Sequence, residues 1–164
     1  MQINYLFIIL GTFLLSAVSV NIIKKLSLKF NFFISRGVPV SGGSGISLSF
    51  FLVSFYIFCF SHTLSREVSG VLFSSMVMLI FGIIDDWREL SVIAKLIVQI
   101  IAVSVLVSFG VRAQIVYIGN FLNILITVIW VLGITNAINH LDVMDGVAAG
   151  VAVIVSLAFF VIST

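Results

Sequence analysis

The chain has 164 residues, of which 62% are hydrophobic and only 9% are charged, and its mean hydropathy is +1.35. A soluble domain carries about a quarter charged residues, so this composition excludes an ordinary soluble domain and indicates an integral membrane protein made of helical spans. The net charge of +2 is small and the basic residues are spread along the chain, which argues against nucleic-acid binding.

Six hydrophobic runs follow one another along the chain, and each is close to the roughly 20 residues that cross a bilayer as a helix. The first run lacks a basic segment and a cleavage site, so we interpret it as a span and not as a signal peptide. The sequence therefore predicts an all-α fold, a polytopic transmembrane helix bundle of about six spans, in a single membrane domain over residues 1–164. Residues 111–120 alternate weakly in polarity and predict a short external hairpin. The runs cover residues 3–23, 46–64, 68–84, 92–109, 121–138 and 147–162.

Basic residues favour alternate connections between these runs. The second and fourth connections hold only Arg66 and Arg112, whereas six basic residues lie in or beside the first and third. The positive-inside rule then places the first, third and fifth loops in the cytoplasm and the N-terminus outside. The six are Lys24, Lys25, Lys29, Arg36, Arg88 and Lys95.

The first loop carries the sequence RGVPVSGGSG, from Arg36 to Gly45. Its glycines allow the backbone to approach a ligand closely, and the Arg36 guanidinium is suited to a phosphate or carboxylate partner. No GxxxxGK[ST] pattern is present, so the loop is not a P-loop. Close packing at the start of a helix is the alternative explanation for the glycines.

An aspartate pair, Asp85-Asp86, ends the third run. Neighbouring helical positions point about 100° apart, so both carboxylates reach one site only near a helix end. Carboxylates at a membrane boundary are costly, which favours a function for them. Mg²⁺ is a suitable partner because it prefers oxygen ligands. The alternative is a solvated loop in which Asp86 pairs with Arg88. Lys95 lies within reach of the pair, although snorkelling toward the bilayer surface is the default for such a lysine.

A second polar cluster follows the fifth run. Asn139, Asp142 and Asp145 are three residues apart, which keeps them on one broad helical face, and Asn136 lies one turn earlier. The loop has no Lys or Arg to neutralise its carboxylates, so the positive charge must come from another loop, a metal or both. Amide and carboxylate oxygens of this kind suit a hard cation or sugar hydroxyls. A purely structural role is the alternative.

Three motifs taken together resemble those of the polyprenyl-phosphate N-acetylhexosamine-1-phosphate transferases. This family starts peptidoglycan lipid intermediates, O-antigen, enterobacterial common antigen and teichoic-acid linkage units. The motifs are RGVP with Gly42-Gly43, FGIIDD ending at Asp86, and NAINHLDVMDG over residues 136–146. The stretch from Leu90 to Gln99 also looks like the segment that follows the aspartate pair in the family. Val143 departs from the pattern, since many members have glycine there.

The resemblance implies transfer of N-acetylhexosamine 1-phosphate, with N-acetylglucosamine as the expected sugar, from a UDP-sugar to polyprenyl phosphate, with release of UMP. It places the protein in the bacterial inner membrane, in contact with membrane lipid and with its active site on the cytoplasmic face. It also implies Mg²⁺ as the cofactor, with Mn²⁺ as a substitute, and leaves a homodimer open. Three alternatives remain: a phospho-N-acetylmuramoyl-pentapeptide transferase, an inactive membrane fragment and a small transporter.

The resemblance also implies roles for individual residues. Asp85 and Asp86 would be catalytic and would orient the nucleophilic phosphate. Asp86 and Asn139 would hold the metal. The remaining roles are in substrate binding, by Arg36, Lys95, Asn139, Asp142 and Asp145. We expect the two clusters, 85–86 and 136–145, to converge at the cytoplasmic boundary.

Members of the family continue to about ten or eleven spans, and their later loops supply a further aspartate and a histidine-rich motif. This chain resembles the first half of that architecture. It is expected to be a fragment of a longer enzyme or a truncated product, and to be inactive as an isolated 164-residue chain.

Overall fold

A computed structural model describes residues 5–30, 34–35, 38–39, 42–61, 65–88, 90–141 and 146–163. These residues form two compact units, Met1–Val111 and Arg112–Thr164. The first unit contains α1 (Tyr5–Phe30), a two-residue antiparallel pair of β1 (Ile34–Ser35) and β2 (Val38–Pro39), α2 (Gly42–Ser61), α3 (Arg66–Trp87) and α4 (Val92–Ser108). The second unit contains α5 (Gly119–Leu141) and α6 (Val147–Ser163).

Helices α1 and α2 pack closely because small residues line their contact. A Cβ atom on Gly45 would lie 2.8 Å from the Val20 Cα, so the two backbones meet where Gly45 has no side chain. Ser19 and Ser49 are buried, and the Ser49 hydroxyl donates to the Gly45 carbonyl. Small residues allow such approach between helices in a membrane, where dispersion and hydrogen bonds replace the hydrophobic effect. The packing explanation for the glycine-rich segment therefore holds at Gly45.

Helices α3 and α4 form an antiparallel hairpin. The Ser74 hydroxyl donates to the Ala102 carbonyl at 2.9 Å, and Gly70 lies against Phe109. Ser65 and Ser91 cap the starts of the two helices by accepting from the backbone N–H groups three residues later. At its other end α4 stops in a Schellman turn, which Gly110 can form because its φ of +96° is open to glycine. The buried residues of α4 are Val98, Gln99, Ala102 and Val103.

The segment before α5 differs from the predicted hairpin. No strand occurs in residues 111–118; instead this extended segment is tied to α5 by two buried side chains. The Asn123 amide accepts from the Ile115 N–H at 3.0 Å and donates to the Ile115 carbonyl at 3.2 Å, while Thr127 Oγ1 accepts from the Ala113 N–H. Asn123 thus replaces the partner strand that the alternation predicted, and the hairpin prediction was wrong.

Burial in the described residues is the reverse of that in a soluble protein. Three hydrophobic residues are buried, against six polar ones, and most large apolar side chains are exposed. Such a surface is suited to lipid. The polar six are Ser19, Ser27, Ser49, Gln99, Asn123 and Thr127.

The predicted all-α, polytopic membrane fold is confirmed. In the described residues, each of the six hydrophobic runs corresponds to one of the helices α1 to α6, and four of these helices are long and apolar enough to span a membrane. The two shorter apolar helices are Val92–Ser108 and Val147–Ile162. Helices α1, α3 and α5 extend beyond their hydrophobic runs, so Lys24 to Lys29, the aspartate pair and Asn139 lie in the last turns of helices and not in loops.

Candidate functional site

The candidate site lies where α3 ends and α4 begins. Asp85 is fixed there by both of its carboxylate oxygens. Oδ2 forms an ion pair with Lys95 Nζ at 2.7 Å, and Oδ1 accepts from the Leu90 N–H at 2.8 Å. Leu90 directly precedes Ser91, which caps α4, so Asp85 also faces the positive end of that helix dipole. Asp85 therefore holds the connection between the two helices in place.

Asp86 has different surroundings. Its side chain is exposed, and among the described residues no hydrogen bond or ion pair to its carboxylate is present. The predicted alternative, a local pair between Asp86 and Arg88, does not occur there either; the lysine of α4 pairs with the neighbouring Asp85 instead. Within the described part of the chain, the Asp86 carboxylate oxygens are therefore available for a ligand.

A cavity of about 420 Å³ opens beside Asp86, between the start of α2 and the last turns of α3. Its polar lining comes from serines of both helices together with Asp86, and its apolar lining comes from Met78, Leu79 and Ile83. Gly43 lines it from the first turn of α2, where helical N–H groups lack internal acceptors and carry partial positive charge. The cavity therefore combines a carboxylate, four serines and the first turn of a helix in its lining. The serines are Ser44, Ser47, Ser74 and Ser75.

Ser47, Ser74 and Ser75 were missed in the sequence because they lie inside hydrophobic runs, and the segment that holds Ser44 was singled out for its glycines and its arginine but not for that serine. A signal for them was nevertheless present. Ser75, Leu79, Gly82 and Asp86 are spaced by four, three and four residues, which places them on one face of α3. This spacing predicts that a stripe of polar and small residues runs along α3 from Asp86 into the membrane.

The other predicted residues lie in the second unit or outside the description. Asn139 is exposed in the last turns of α5, and Asn136 lies one turn earlier on the same face, where its amide donates to the Leu132 carbonyl. Arg36, Asp142 and Asp145 lie outside the described residues. The convergence of the two clusters stays a prediction, as does the single membrane domain. The structure brings together Asp85, Asp86 and Lys95.

Known proteins are similar in sequence to the part of the chain that contains the candidate site. A sequence model described as glycosyl transferase family 4 matches residues 68–164, which include the aspartate pair, Lys95 and the second cluster. No solved structure matches the chain significantly.

Three curated relatives illustrate the similarity. A probable undecaprenyl-phosphate N-acetylglucosaminyl 1-phosphate transferase of Bacillus subtilis is 30% identical over 96 residues, which are 54% of this chain and 27% of that protein. The decaprenyl-phosphate N-acetylglucosaminephosphotransferase of Mycobacterium leprae is 36% identical over 109 residues, which are 60% of this chain and 27% of that protein. The phospho-N-acetylmuramoyl-pentapeptide-transferase of Streptococcus sanguinis is 30% identical over 144 residues, which are 77% of this chain and 43% of that protein.

The chain thus spans between about a quarter and somewhat under half of the length of these relatives. The family match nevertheless covers more than half of the chain and contains the aspartates that shape the site. It agrees with the resemblance that the three sequence motifs indicated. The chain belongs to glycosyl transferase family 4.

Proposed function

We propose that this protein acts in the transfer of N-acetylglucosamine 1-phosphate from a UDP-sugar to a polyprenyl phosphate, with release of UMP. The reaction would take place at the cytoplasmic face of a bacterial inner membrane and would start a cell-envelope polysaccharide. The names of the Bacillus and Mycobacterium relatives support the reaction class. The single observation that carries the proposal is the available Asp86 carboxylate at a cavity that opens beside a helix N-terminus.

Phosphoryl transfer depends on positioning and charge neutralisation more than on a strong base. The acceptor phosphate would attack the phosphorus next to the sugar, and UMP would leave. Asp86 orients the attacking group in this scheme, while the first turn of α2 offsets negative charge on the phosphates. Asp85 and Lys95 neutralise each other and hold the base of the site rigid. Lys95 therefore acts by positioning, unless substrate binding releases it from Asp85.

The residues present fit Mg²⁺. The polar residues that line the cavity are Asp86 and four serines, all with oxygen side chains, and Mg²⁺ commonly takes one or two carboxylates together with waters and substrate phosphates. Among the described residues, no group of three or more His, Cys, Asp and Glu forms a metal cage. Asp86 would hold the ion, and Asn139 would join it if the two clusters converge. When bound, Mg²⁺ neutralises charge on the transferred phosphate.

UMP release tests this proposal. The protein, expressed from its complete reading frame and purified in detergent, should release UMP from UDP-N-acetylglucosamine only when polyprenyl phosphate and Mg²⁺ are both present. Omission of either, and addition of a chelator, are the controls. Release that continues without the polyprenyl phosphate would contradict the transfer.

A second candidate is transfer of phospho-N-acetylmuramoyl-pentapeptide. The relative of that name in Streptococcus sanguinis aligns over 144 residues, a larger part of this chain than the other two relatives cover. Parallel assays with UDP-N-acetylglucosamine and UDP-N-acetylmuramoyl-pentapeptide separate the candidates, because the donor that supports UMP release identifies the reaction.

A further inference from the structure

The connection before α5 ends in a tight turn with apolar corners. Residues 115–118 form this turn, in which the Ile118 N–H donates to the Ile115 carbonyl at 3.5 Å. Val116 and Tyr117 occupy its two central positions and are 88% and 96% exposed. Turns in water favour glycine, asparagine, aspartate, serine and proline at such positions. The 115–118 turn therefore has the composition of a surface that is covered by something other than water.

The place of these two side chains in the fold sets them apart. The other exposed large apolar side chains of the described residues, apart from Ile115, all lie in helices α1 to α6, whose surface lipid can cover. Val116 and Tyr117 lie in a connection, where side chains ordinarily meet water. Of all these exposed apolar side chains in the described residues, Tyr117 has the largest exposed fraction.

The fold holds the turn close to the start of α5. The N–H and the carbonyl of Ile115 both bond to the Asn123 side chain, in the second turn of that helix. Gly119, with a φ of +71°, then leads the chain directly from the turn into α5. Asn123 is four positions from Gly119, which corresponds to about 6 Å along the helix axis. The turn therefore lies near the level of the first turn of α5, which carries Phe121, itself 78% exposed.

This level corresponds to a membrane boundary. Helix α5 has 23 residues and is apolar enough to span a membrane. Its length is about 34 Å, close to the roughly 30 Å thickness of the hydrocarbon, so its start lies near the edge of the lipid. Non-helical backbone is tolerated there when its polar groups have partners in the protein. The backbone of Ile115 meets this condition, because Asn123 satisfies both its N–H and its carbonyl.

We propose that the 115–118 turn inserts into the boundary between lipid headgroups and acyl chains and anchors the start of α5 there. Val116 enters the acyl region, and the Tyr117 ring lies at the headgroup level, where tyrosine is favoured because one end of it is apolar and the other polar. A protein partner fits less well, because four residues offer far less than the roughly 800 Å² that each partner buries in a specific interface. The anchor is separate from the transfer reaction and holds for either leaflet.

Spin labels test the position of the turn. Val116→Cys and Tyr117→Cys are each made in the protein expressed from its complete reading frame, with every other cysteine replaced by serine. After nitroxide labelling and reconstitution in liposomes of phosphatidylcholine and phosphatidylglycerol, power saturation compares collisions with oxygen, which concentrates in lipid, and with a nickel chelate, which stays in water. Two exposed positions are references: Ile129→Cys on α5 for hydrocarbon and Arg88→Cys for water.

We expect both labels on the turn to collide more often with oxygen than with the nickel chelate. Their depth should fall between the two references, about 5–10 Å into the boundary of headgroups and acyl chains. Two sites keep the test independent of either side chain, since Tyr117 is intact when the label is at position 116.

Substitutions at Tyr117 test whether its ring holds the turn in lipid, with the label on Val116→Cys. Tyr117→Asn should raise collisions of this label with the nickel chelate severalfold, because asparagine suits a turn in water. Tyr117→Trp is the matched control: it keeps an aromatic ring of the kind that membrane boundaries favour, so the collisions should not change.

The outcomes decide for or against the anchor. Labels at the expected depth, displaced into water by Tyr117→Asn and kept by Tyr117→Trp, support it. Collisions with the nickel chelate as frequent as at Arg88→Cys would show a turn in water and overturn it. Shielding from both reagents would show that protein covers the turn, either a second copy or another part of the chain, and would overturn it as well. Equal effects of the two Tyr117 variants would overturn the anchoring role of the ring.

Discussion

Asp85 and Asp86 are adjacent in the sequence, but their different surroundings give them different roles. Consecutive helical positions point about 100° apart, so one carboxylate turns toward α4 and the other lines the cavity beside α2. Asp85 uses one oxygen for Lys95 and the other for the Leu90 N–H, whereas no described residue forms a hydrogen bond or an ion pair with the Asp86 carboxylate. The pair is therefore better described as one positioning carboxylate and one ligand-binding carboxylate than as two equivalent groups.

Asp86→Asn should abolish most of the transfer without unfolding the protein. The change removes the charge but keeps the shape, and loss of one such electrostatic contact typically costs a factor of about 10² to 10³ in turnover. UMP release at saturating Mg²⁺ measures the effect, and thermal stability in detergent is the control. Near-normal turnover would show that Asp86 is only a boundary charge.

The ion pair predicts a coupling between Asp85 and Lys95. Asp85→Asn and Lys95→Met should each lower stability, and the double variant should lose less than the sum of the two. Both side chains are partly exposed, at 31% and 43%, so the coupling should be about 1 kcal/mol or less. A double-mutant cycle on thermal stability checks it. Strict additivity would mean that the pair contributes nothing.

At the scale of elements, the helices of the first unit approach each other closely at glycine residues, which have no side chain. Gly45 and Gly70 lie where a Cβ atom would overlap Val20 and Phe109 respectively. In the second unit, buried Asn123 and Thr127 satisfy the backbone of the extended segment before α5. Close packing at glycines and hydrogen bonds from buried side chains both suit a lipid environment, in which they replace the hydrophobic effect as the source of stability.

Gly45→Ala should destabilise the α1–α2 pair by about 1–3 kcal/mol, because the new Cβ would lie 2.8 Å from the Val20 Cα, which cannot move away alone. Gly11→Ala is the matched control on α1. Nothing lies within 4 Å of its Cβ position, so alanine should be neutral or stabilise the helix by up to about 1 kcal/mol. The thermal stabilities of the two variants are compared by size-exclusion chromatography after heating. Equal effects would refute the close packing.

Asn123→Leu should loosen the segment before α5. It leaves the Ile115 N–H and carbonyl without their side-chain partner, at a cost of about 1–3 kcal/mol. Hydrogen exchange at residues 113–118 should accelerate. Thr135→Val is the control, since the Thr135 hydroxyl only donates to the Val131 carbonyl within its own helix. Unchanged exchange in Asn123→Leu would mean that other contacts hold the segment.

At the scale of the whole molecule, most of the buried side chains in the described residues are polar, and most of the large apolar side chains are exposed. The charged residues collect near helix ends, and their uneven distribution predicts the orientation. The shared membrane face of Asp86 and the second cluster follows only from this charge rule and stays a prediction.

Cysteine labelling checks the orientation. In a Cys59→Ser background, Arg88→Cys should react with a membrane-impermeant maleimide only after the membrane is opened, whereas Arg112→Cys should react in intact cells. Both side chains are exposed, so burial does not account for a difference. The reverse pattern would invert the topology and place Asp86 outside.

The sequence by itself determined the membrane class, the helices and the position of the aspartate pair. These depend on local properties: a run of about 20 apolar residues forms a helix in lipid because its backbone has no other partner. It did not determine how far the helices continue, because polar residues at the ends of α3 and α5 extend a helix beyond the hydrocarbon as readily as they begin a loop.

Only the tertiary structure decided the separate roles of Asp85 and Asp86, the serines of the cavity and the replacement of the hairpin by Asn123. Each of these depends on contacts between separate elements of the fold. Lys95 reaches Asp85 across a turn, Ser44 and Ser75 meet at one cavity from two helices, and Asn123 pairs with Ile115 from the neighbouring helix. A hydrophobic pattern specifies which face of a helix avoids polar surroundings, but the partner of each polar side chain is set by helix packing, which the pattern does not encode.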